Sequence, residues 1–134
     1  MLQISSMLRG EVIAHCQEHN PKEACGFLAA DAAGRIVKVY PMTNVEDSPI
    51  GYSMDPKEQL QVERQMRQAG HHLIAIYHSH TASAAEPSSV DVSLAISPDI
   101  SYVLVSLKDP SKPDFKSYRI SEKTVTAERV DVVG

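Results

Sequence analysis

Apolar residues along the chain switch between helical and strand-like spacing, and the switches mark the elements. Leu8, Val12 and Cys16, with Ile13 alongside, recur at the spacing of a helix face. Ser5 or Ser6 can cap that helix. Asn20-Pro21 stops it after about His19, because a residue before proline is driven out of the helical region. Ala24 to Ala30 is nearly all apolar and reads as a strand, Asp31 to Gly34 as a turn, and Arg35 to Tyr40 as the antiparallel partner. Thr43 to Gly51 is a polar loop, followed by a short extended piece at Tyr52-Ser53-Met54. Asp55-Pro56 then opens the clearest helix. Asp55 is its N-cap, Pro56 fits the first position, Glu58 completes a capping-box-like pattern and Gly70 closes it.

The second half is richer in strands. Leu73-Ile74-Ala75-Ile76-Tyr77 is a continuous apolar run whose branched residues suit a buried strand. Thr81 to Pro87 is small and polar and turns the chain back. Ser88 or Ser89 then caps a short helix through about Ala95. Three more strands are predicted at Ser101 to Leu107, Phe115 to Ile120 and Lys123 to Val133, with Lys108 to Asp114 turning between the first two. The order of elements predicts an α/β protein of the α+β type: a mixed, mostly antiparallel sheet flanked by helices, built as one domain over residues 1–134.

Charge and composition narrow the classes. A net charge of −4 leaves no basic footprint, so a nucleic-acid partner is not expected. No apolar run approaches the roughly 20 residues that span a bilayer, and the N-terminus lacks the pattern of a signal peptide, so no membrane partner is expected. Cys16 and Cys25 form no C-x-x-C pair or disulfide scaffold. A cytoplasmic location follows as the expectation. The sequence does not fix the oligomeric state, and a homodimer is compatible with it.

The candidate chemistry lies in His78-Ser79-His80, followed by Ser88 and Asp91. If the strand continues past Tyr77, His78 and His80 share a face, as two ligands of one ion must. Asp91 falls in the first turn of the short helix, where the dipole favours a carboxylate. Two imidazoles and one carboxylate, with the fourth position left to water, make a catalytic rather than a structural zinc site. Ser88 would stand at the rim of that site. Other candidates read more plainly. Cys25 shares strand parity with Glu23 and could approach the metal, but a small buried hydrophobe is the preferred reading. His71 and His72 are read as loop residues at a strand entry. His15 and His19, four apart on a helix, are read as surface histidines.

A remote Glu, then H-S/T-H, seven residues, Ser, two residues and Asp is the pattern present here, and it resembles the signature of JAMM (MPN-plus) metallopeptidases. The remote acid is Glu23, in Pro21-Lys22-Glu23-Ala24-Cys25-Gly26, which is similar to a stretch common in prokaryotic members. His78-Ser79-His80-Thr81-Ala82, Pro41-Met42-Thr43-Asn44 and Tyr102-Val103-Leu104-Val105-Ser106 resemble a subgroup that releases cysteine from the C-terminus of a ubiquitin-like sulfur-carrier protein. Thr81 replaces the Pro of most members, as in that subgroup. Glu86 stands where an aromatic is common.

The resemblance implies a curved, cytidine-deaminase-like sheet flanked by helices and one Zn2+ per chain held by His78, His80 and Asp91. It implies that Glu23 is a general base that does not ligate the metal, and that Ser88 donates to the oxyanion. It also implies that the strands carrying Glu23 and His78 are neighbours. The implied partner is the C-terminal tail of the carrier protein. Such a tail could add along an exposed strand edge, with the Thr43 to Gly51 loop, bearing Glu46 and Asp47, as either a wall of that groove or a solvated loop. A catalytically silent MPN-type scaffold and a deubiquitinase-like isopeptidase are the alternatives. A zinc deaminase would need H-x-E and P-C-x-x-C segments, which the chain lacks.

Overall fold

The computed structural model describes all 134 residues. Its elements in chain order are β1 (Leu2–Ser5), α1 (Ser6–His19), β2 (Cys25–Ala30), β3 (Ile36–Met42), α2 (Pro56–Gln68), β4 (His72–His80), α3 (Ser89–Ser93), β5 (Ser101–Ser106), β6 (Asp114–Ser121), β7 (Thr124–Glu128) and β8 (Val130–Val133). Six strands form one sheet in the order β3-β2-β4-β5-β6-β7. Only β4 and β5 run parallel, so the sheet is mixed and mostly antiparallel, as expected.

Strand parity divides the core into two layers. Leu28 on one face of β2 and Ala24 just before it, with Ala75 and Tyr77 on β4, pack against Leu8, Val12 and Cys16 of α1. Cys25, Phe27 and Ala29 on the other face, with Ile76, pack against Val62 and Met66 of α2. β2 is buried throughout because helices cover both its faces, which explains a run that does not alternate. His78 and His80 share the parity of Ile76 and so lie on the α2 face.

The helix ends follow local chemistry. Ser5 caps α1 by accepting from the Leu8 N–H at 3.1 Å, and Asp55 caps α2 by accepting from Lys57 N–H at 3.0 Å. Gly70, at φ +74°, adopts the left-handed conformation that ends α2.

Several elements differ from expectation. β1 lies ahead of α1 and pairs in parallel with β8, forming a separate two-stranded sheet. The expected strand from Lys123 to Val133 is two strands: β7 closes the edge of the main sheet, and the chain then leaves at Arg129 for β1. Glu122 and Lys123, at φ 49° and 66°, form the tight turn between β6 and β7. α3 ends at Ser93, short of Ala95. Tyr52 to Met54 is irregular, and His72 lies inside β4 instead of at a loop. Glu58 does not reach back to the Asp55 N–H. Its carboxylate accepts from the N–H and hydroxyl of Thr43, at 2.8 and 3.0 Å.

Candidate metal centre

β4 delivers the two imidazoles. His78 and His80, both buried, project from one face of its final turns of pleat, while Ser79 points to the α1 side. The loop after β4 then brings α3 back across the end of the strand. Ser88 and Asp91 form a reciprocal capping box there: Ser88 Oγ accepts from the Asp91 N–H at 3.1 Å, and Asp91 Oδ2 accepts from the Ser88 N–H at 2.8 Å. The box fixes the Asp91 carboxylate in front of both rings. His78 Nε2 lies 3.1 Å from Asp91 Oδ1, and His80 Nε2 lies 3.1 Å from Asp91 Oδ2.

Three observations test whether this set fits a metal ion. One ligand-type atom from each of His78, His80 and Asp91 lies within 4.8 Å of the others; ligands of a tetrahedral zinc stand about 3.3 Å apart. His78 Nε2 is buried and makes no hydrogen bond, although a carboxylate oxygen is only 3.1 Å away. Its approach to Asp91 is therefore close without hydrogen-bond geometry, as for two donors directed at a common point. His80 Nδ1 lies 3.0 Å from the Ala84 carbonyl, which can only accept. The ring proton belongs on Nδ1, leaving the Nε2 lone pair facing Asp91. A lone pair facing an anion requires a proton or a cation between them. The carbonyl contact also matches the outer hydrogen bond that orients a ligating histidine. The residues fit a zinc-type ion.

The electrostatics agree with that geometry. Burial holds His78 neutral by pushing its pKa down, against the pull of Asp91. Asp91 raises the pKa of His80, with burial opposing. Burial also works against ionisation of Asp91, but the two imidazoles and the Ser88 N–H hold its carboxyl well below the usual range.

Glu23 meets this centre because β2 and β4 are adjacent and antiparallel. Cys25 is in register with His78, so the two residues before β2 run past Ser79 and His80. Burial pushes the Glu23 carboxyl up to about 7; His80 lowers it, and Asp91 and Glu46 raise it. The Glu23 N–H donates to the Ser48 carbonyl at 2.8 Å. Thr81 donates its hydroxyl to the Pro49 carbonyl at 3.1 Å. The loop from Thr43 to Gly51 is thus tied to both sides of the centre. Ser88 is exposed, with its hydroxyl proton still free to donate.

The remaining candidates sort clearly. Cys25 is fully buried, and burial, then Glu58 and Glu23, push its thiol up to about 12, so it acts as a small hydrophobe. His15 is not a surface histidine: it is half-buried, and its Nδ1 lies 2.6 Å from the Tyr77 hydroxyl. His19 is exposed, edge-on to His15. Two further residues escaped notice in the sequence. Tyr52 lies over His78, and with Met54, Leu94, Ile96 and Tyr102 it lines a cavity of ≈ 280 Å³ that opens onto His78 and Asp91. Ser79 ties the strand to the Glu23 segment. A hydroxyl residue between two ligands on a buried strand was the available sign, because a buried hydroxyl must find a partner.

A mostly antiparallel sheet with two histidines at the end of an inner strand, met by an aspartate from a short helix and flanked by a buried glutamate, defines a domain of the metallopeptidase type. The chain belongs to the prokaryotic homologs of the JAB domain, whose family model matches residues 5–121. It is 46% identical to a Mycobacterium tuberculosis protein named CysO-cysteine peptidase, over 99% of this chain and 92% of that protein. Its structure is similar to the solution structure of protein DSY2949 from Desulfitobacterium hafniense, with a TM-score of 0.90 and 37% identity, covering 99% of this chain and 93% of that one. It shares its fold with a structure described as a metalloprotease-like zinc site in the proteasome and signalosome, with a TM-score of 0.64 and 16% identity, covering 100% of this chain and 99% of that one.

Proposed function

We propose that this chain is a zinc-dependent peptidase that hydrolyses the bond after the C-terminal glycine of a ubiquitin-like sulfur-carrier protein and releases cysteine. The observation that carries the reading is the convergence of unpartnered His78 Nε2, His80 Nε2 and the Asp91 carboxylate beside buried Glu23. His78, His80 and Asp91 hold the ion. When bound, zinc polarises a carbonyl and brings the pKa of water toward about 7.

Glu23 takes a proton from the attacking water and passes it to the departing amine, so one water is consumed as the peptide bond becomes a carboxylate and an amine. A carboxyl near pH 7 suits both halves of that transfer. The Ser88 hydroxyl, with its proton uncommitted, donates to the oxygen that gains charge. The cavity lined by Tyr52, Met54 and Leu94 receives the carrier tail, and the loop from Thr43 to Gly51 forms a wall on the Glu23 side. The 46% identity to a protein named CysO-cysteine peptidase supports this choice of substrate.

A silent binding scaffold is less well supported, because His78, His80 and Asp91 form a group that could hold a metal, beside a buried acid. No helix is long and apolar enough to cross a membrane. Cys16 and Cys25 are free and buried, which suits the cytoplasmic location proposed here. The test is to incubate the purified chain with a sulfur carrier bearing a C-terminal cysteine adduct and record the intact mass, with and without chelator. Loss of one cysteine, abolished by chelator and restored by zinc, is expected. An unchanged adduct in the presence of zinc-loaded protein would refute the activity.

A further inference from the structure

We infer that Asn44 and Ser79 position Glu23 by clamping the peptide plane that follows it. This rests on the reading of Glu23 as the proton carrier. The carbonyl of Glu23 accepts from Asn44 Nδ2 at 2.9 Å, and the N–H of Ala24 donates to Ser79 Oγ at 2.9 Å. That carbonyl and that N–H belong to one planar peptide unit. Two side chains from separate parts of the chain therefore hold its opposite edges.

The sheet shows why a clamp is needed here. Ser79 N–H donates to the Ala24 carbonyl at 3.0 Å as the β2–β4 ladder ends. The N–H of Ala24 turns instead to the Ser79 side chain on the α1 face. The next residue back, Glu23, is then free of the ladder and able to lean toward His80 on the opposite face. Its own N–H is taken by the Ser48 carbonyl at 2.8 Å. With both flanking peptide units held, the Glu23 backbone has little freedom, and only side-chain rotation remains to place the carboxylate.

Asn44 is itself over-determined. Its Nδ2 also donates to the Gly51 carbonyl at 3.0 Å, and its Oδ1 accepts from the N–H groups of Glu46 at 3.1 Å and Ser53 at 3.0 Å. The whole loop from 44 to 53 thus bears on the position of Glu23. Ser79 gives β4 two roles: its neighbours present ligands on one face, while it anchors the acid from the other. Asn44 closes the Pro41-Met42-Thr43-Asn44 phrase, whose presence the metal ligands alone do not explain.

Asn44→Asp keeps the acceptor but lacks the Nδ2 donor, Ser79→Ala removes the hydroxyl, and Ser79→Thr retains it. Turnover of the cysteine adduct is measured across pH, so that the charge added by Asn44→Asp shifts the acid limb and leaves the plateau to report positioning. Asn44→Asp and Ser79→Ala should each lower plateau kcat about 10- to 100-fold with KM changed by less than about twofold and zinc still stoichiometric, while Ser79→Thr stays within about threefold of wild type. A second readout does not need turnover. In metal-free protein, Asn44→Asp should accelerate hydrogen exchange of the Ala24 amide, which Asn44 does not touch. Unchanged kcat in both variants, in an enzyme that Glu23→Gln inactivates, would overturn the clamp. So would an Ala24 amide indifferent to Asn44→Asp, a result that stands even if the wild type cleaves no adduct. If Ser79→Ala fails to fold, Asn44→Asp decides alone.

Discussion

The ring of Tyr52 lies over the ring of His78, with centroids 4.6 Å apart and planes inclined by 31°. His80 meets the same imidazole edge-on at 5.1 Å. His78 is thus held between two rings on a buried strand end, and its Nε2 cannot swing away from Asp91 without losing packing. Partners that fix a ligand's orientation typically contribute about 10- to 100-fold to metal affinity. Tyr52→Ala should weaken zinc binding by about that factor in a competition titration with a chromogenic chelator, and Tyr52→Phe should keep wild-type affinity. Wild-type affinity in the alanine variant would show that the stacking does not hold the ligand.

On the proposed reading, His78, His80 and Asp91 hold the ion and Glu23 moves protons. His78→Ala should lose both zinc and turnover, because it removes a ligand from a set of three. Glu23→Gln should bind one zinc per chain and lose about 100-fold or more in kcat. Elemental analysis beside single-turnover kinetics separates the two. Normal hydrolysis by Glu23→Gln would end the assignment of the acid.

The raised pKa of Glu23 has two consequences of known sign. Burial pushes the carboxyl up to about 7 in the metal-free protein. As the proposed base, Glu23 would work as the carboxylate, so kcat/KM should rise with pH; a bound cation would favour ionisation and set the midpoint at or below about 7. In the metal-free protein, the folded state keeps a proton that the unfolded chain releases from about 4.5 upward. The stability this proton contributes is present in full below 4.5 and is lost as pH rises through about 7. Thermal unfolding of metal-free wild type and Glu23→Gln should therefore diverge across that window, with wild type losing ground as pH rises. Parallel curves would show that Glu23 titrates alike in both states.

The grouping of His78, His80 and Asp91 was legible in the sequence because its geometry is local. His78 and His80 are two apart on a strand, and Asp91 is three residues from the serine that caps its helix. Glu23 was legible only by resemblance, since its place beside His80 depends on β2 pairing with β4, which sets Cys25 in register with His78, far off in the sequence. Asn44, Tyr52 and Ser79 meet partners distant in the sequence, and only for Ser79, a hydroxyl on a buried strand, did the sequence carry a sign. β1 escaped for the same reason: Leu2 to Ser5 is too short to read as a strand, and its partner β8 lies at the other end of the chain. Glu58 misled because a capping pattern also fits a carboxylate whose donors lie on Thr43.

The packing behind the centre gives a prediction of its own. Gly26 and Tyr77 face each other in the β2–β4 register, on the side away from the metal. A Cβ on Gly26 would clash with the Cε2, Cζ and hydroxyl of Tyr77. The ring cannot retreat freely: Tyr77 is fully buried, and its hydroxyl is tied to His15 of α1 at 2.6 Å. The glycine is needed for close approach and not for an unusual backbone angle. Gly26→Ala should therefore displace Tyr77, break its contact with His15 and cost about 1–3 kcal/mol. Because β4 carries the two histidines just beyond Tyr77, zinc affinity should fall with stability. His15→Ala, which removes the tie but not the space, should be milder and should partly relieve Gly26→Ala when the two are combined, since the ring then gains room to move. Denaturant titration of the two single variants and the double closes this cycle. Strict additivity would show that the Gly26–Tyr77 contact and the Tyr77–His15 bond are independent.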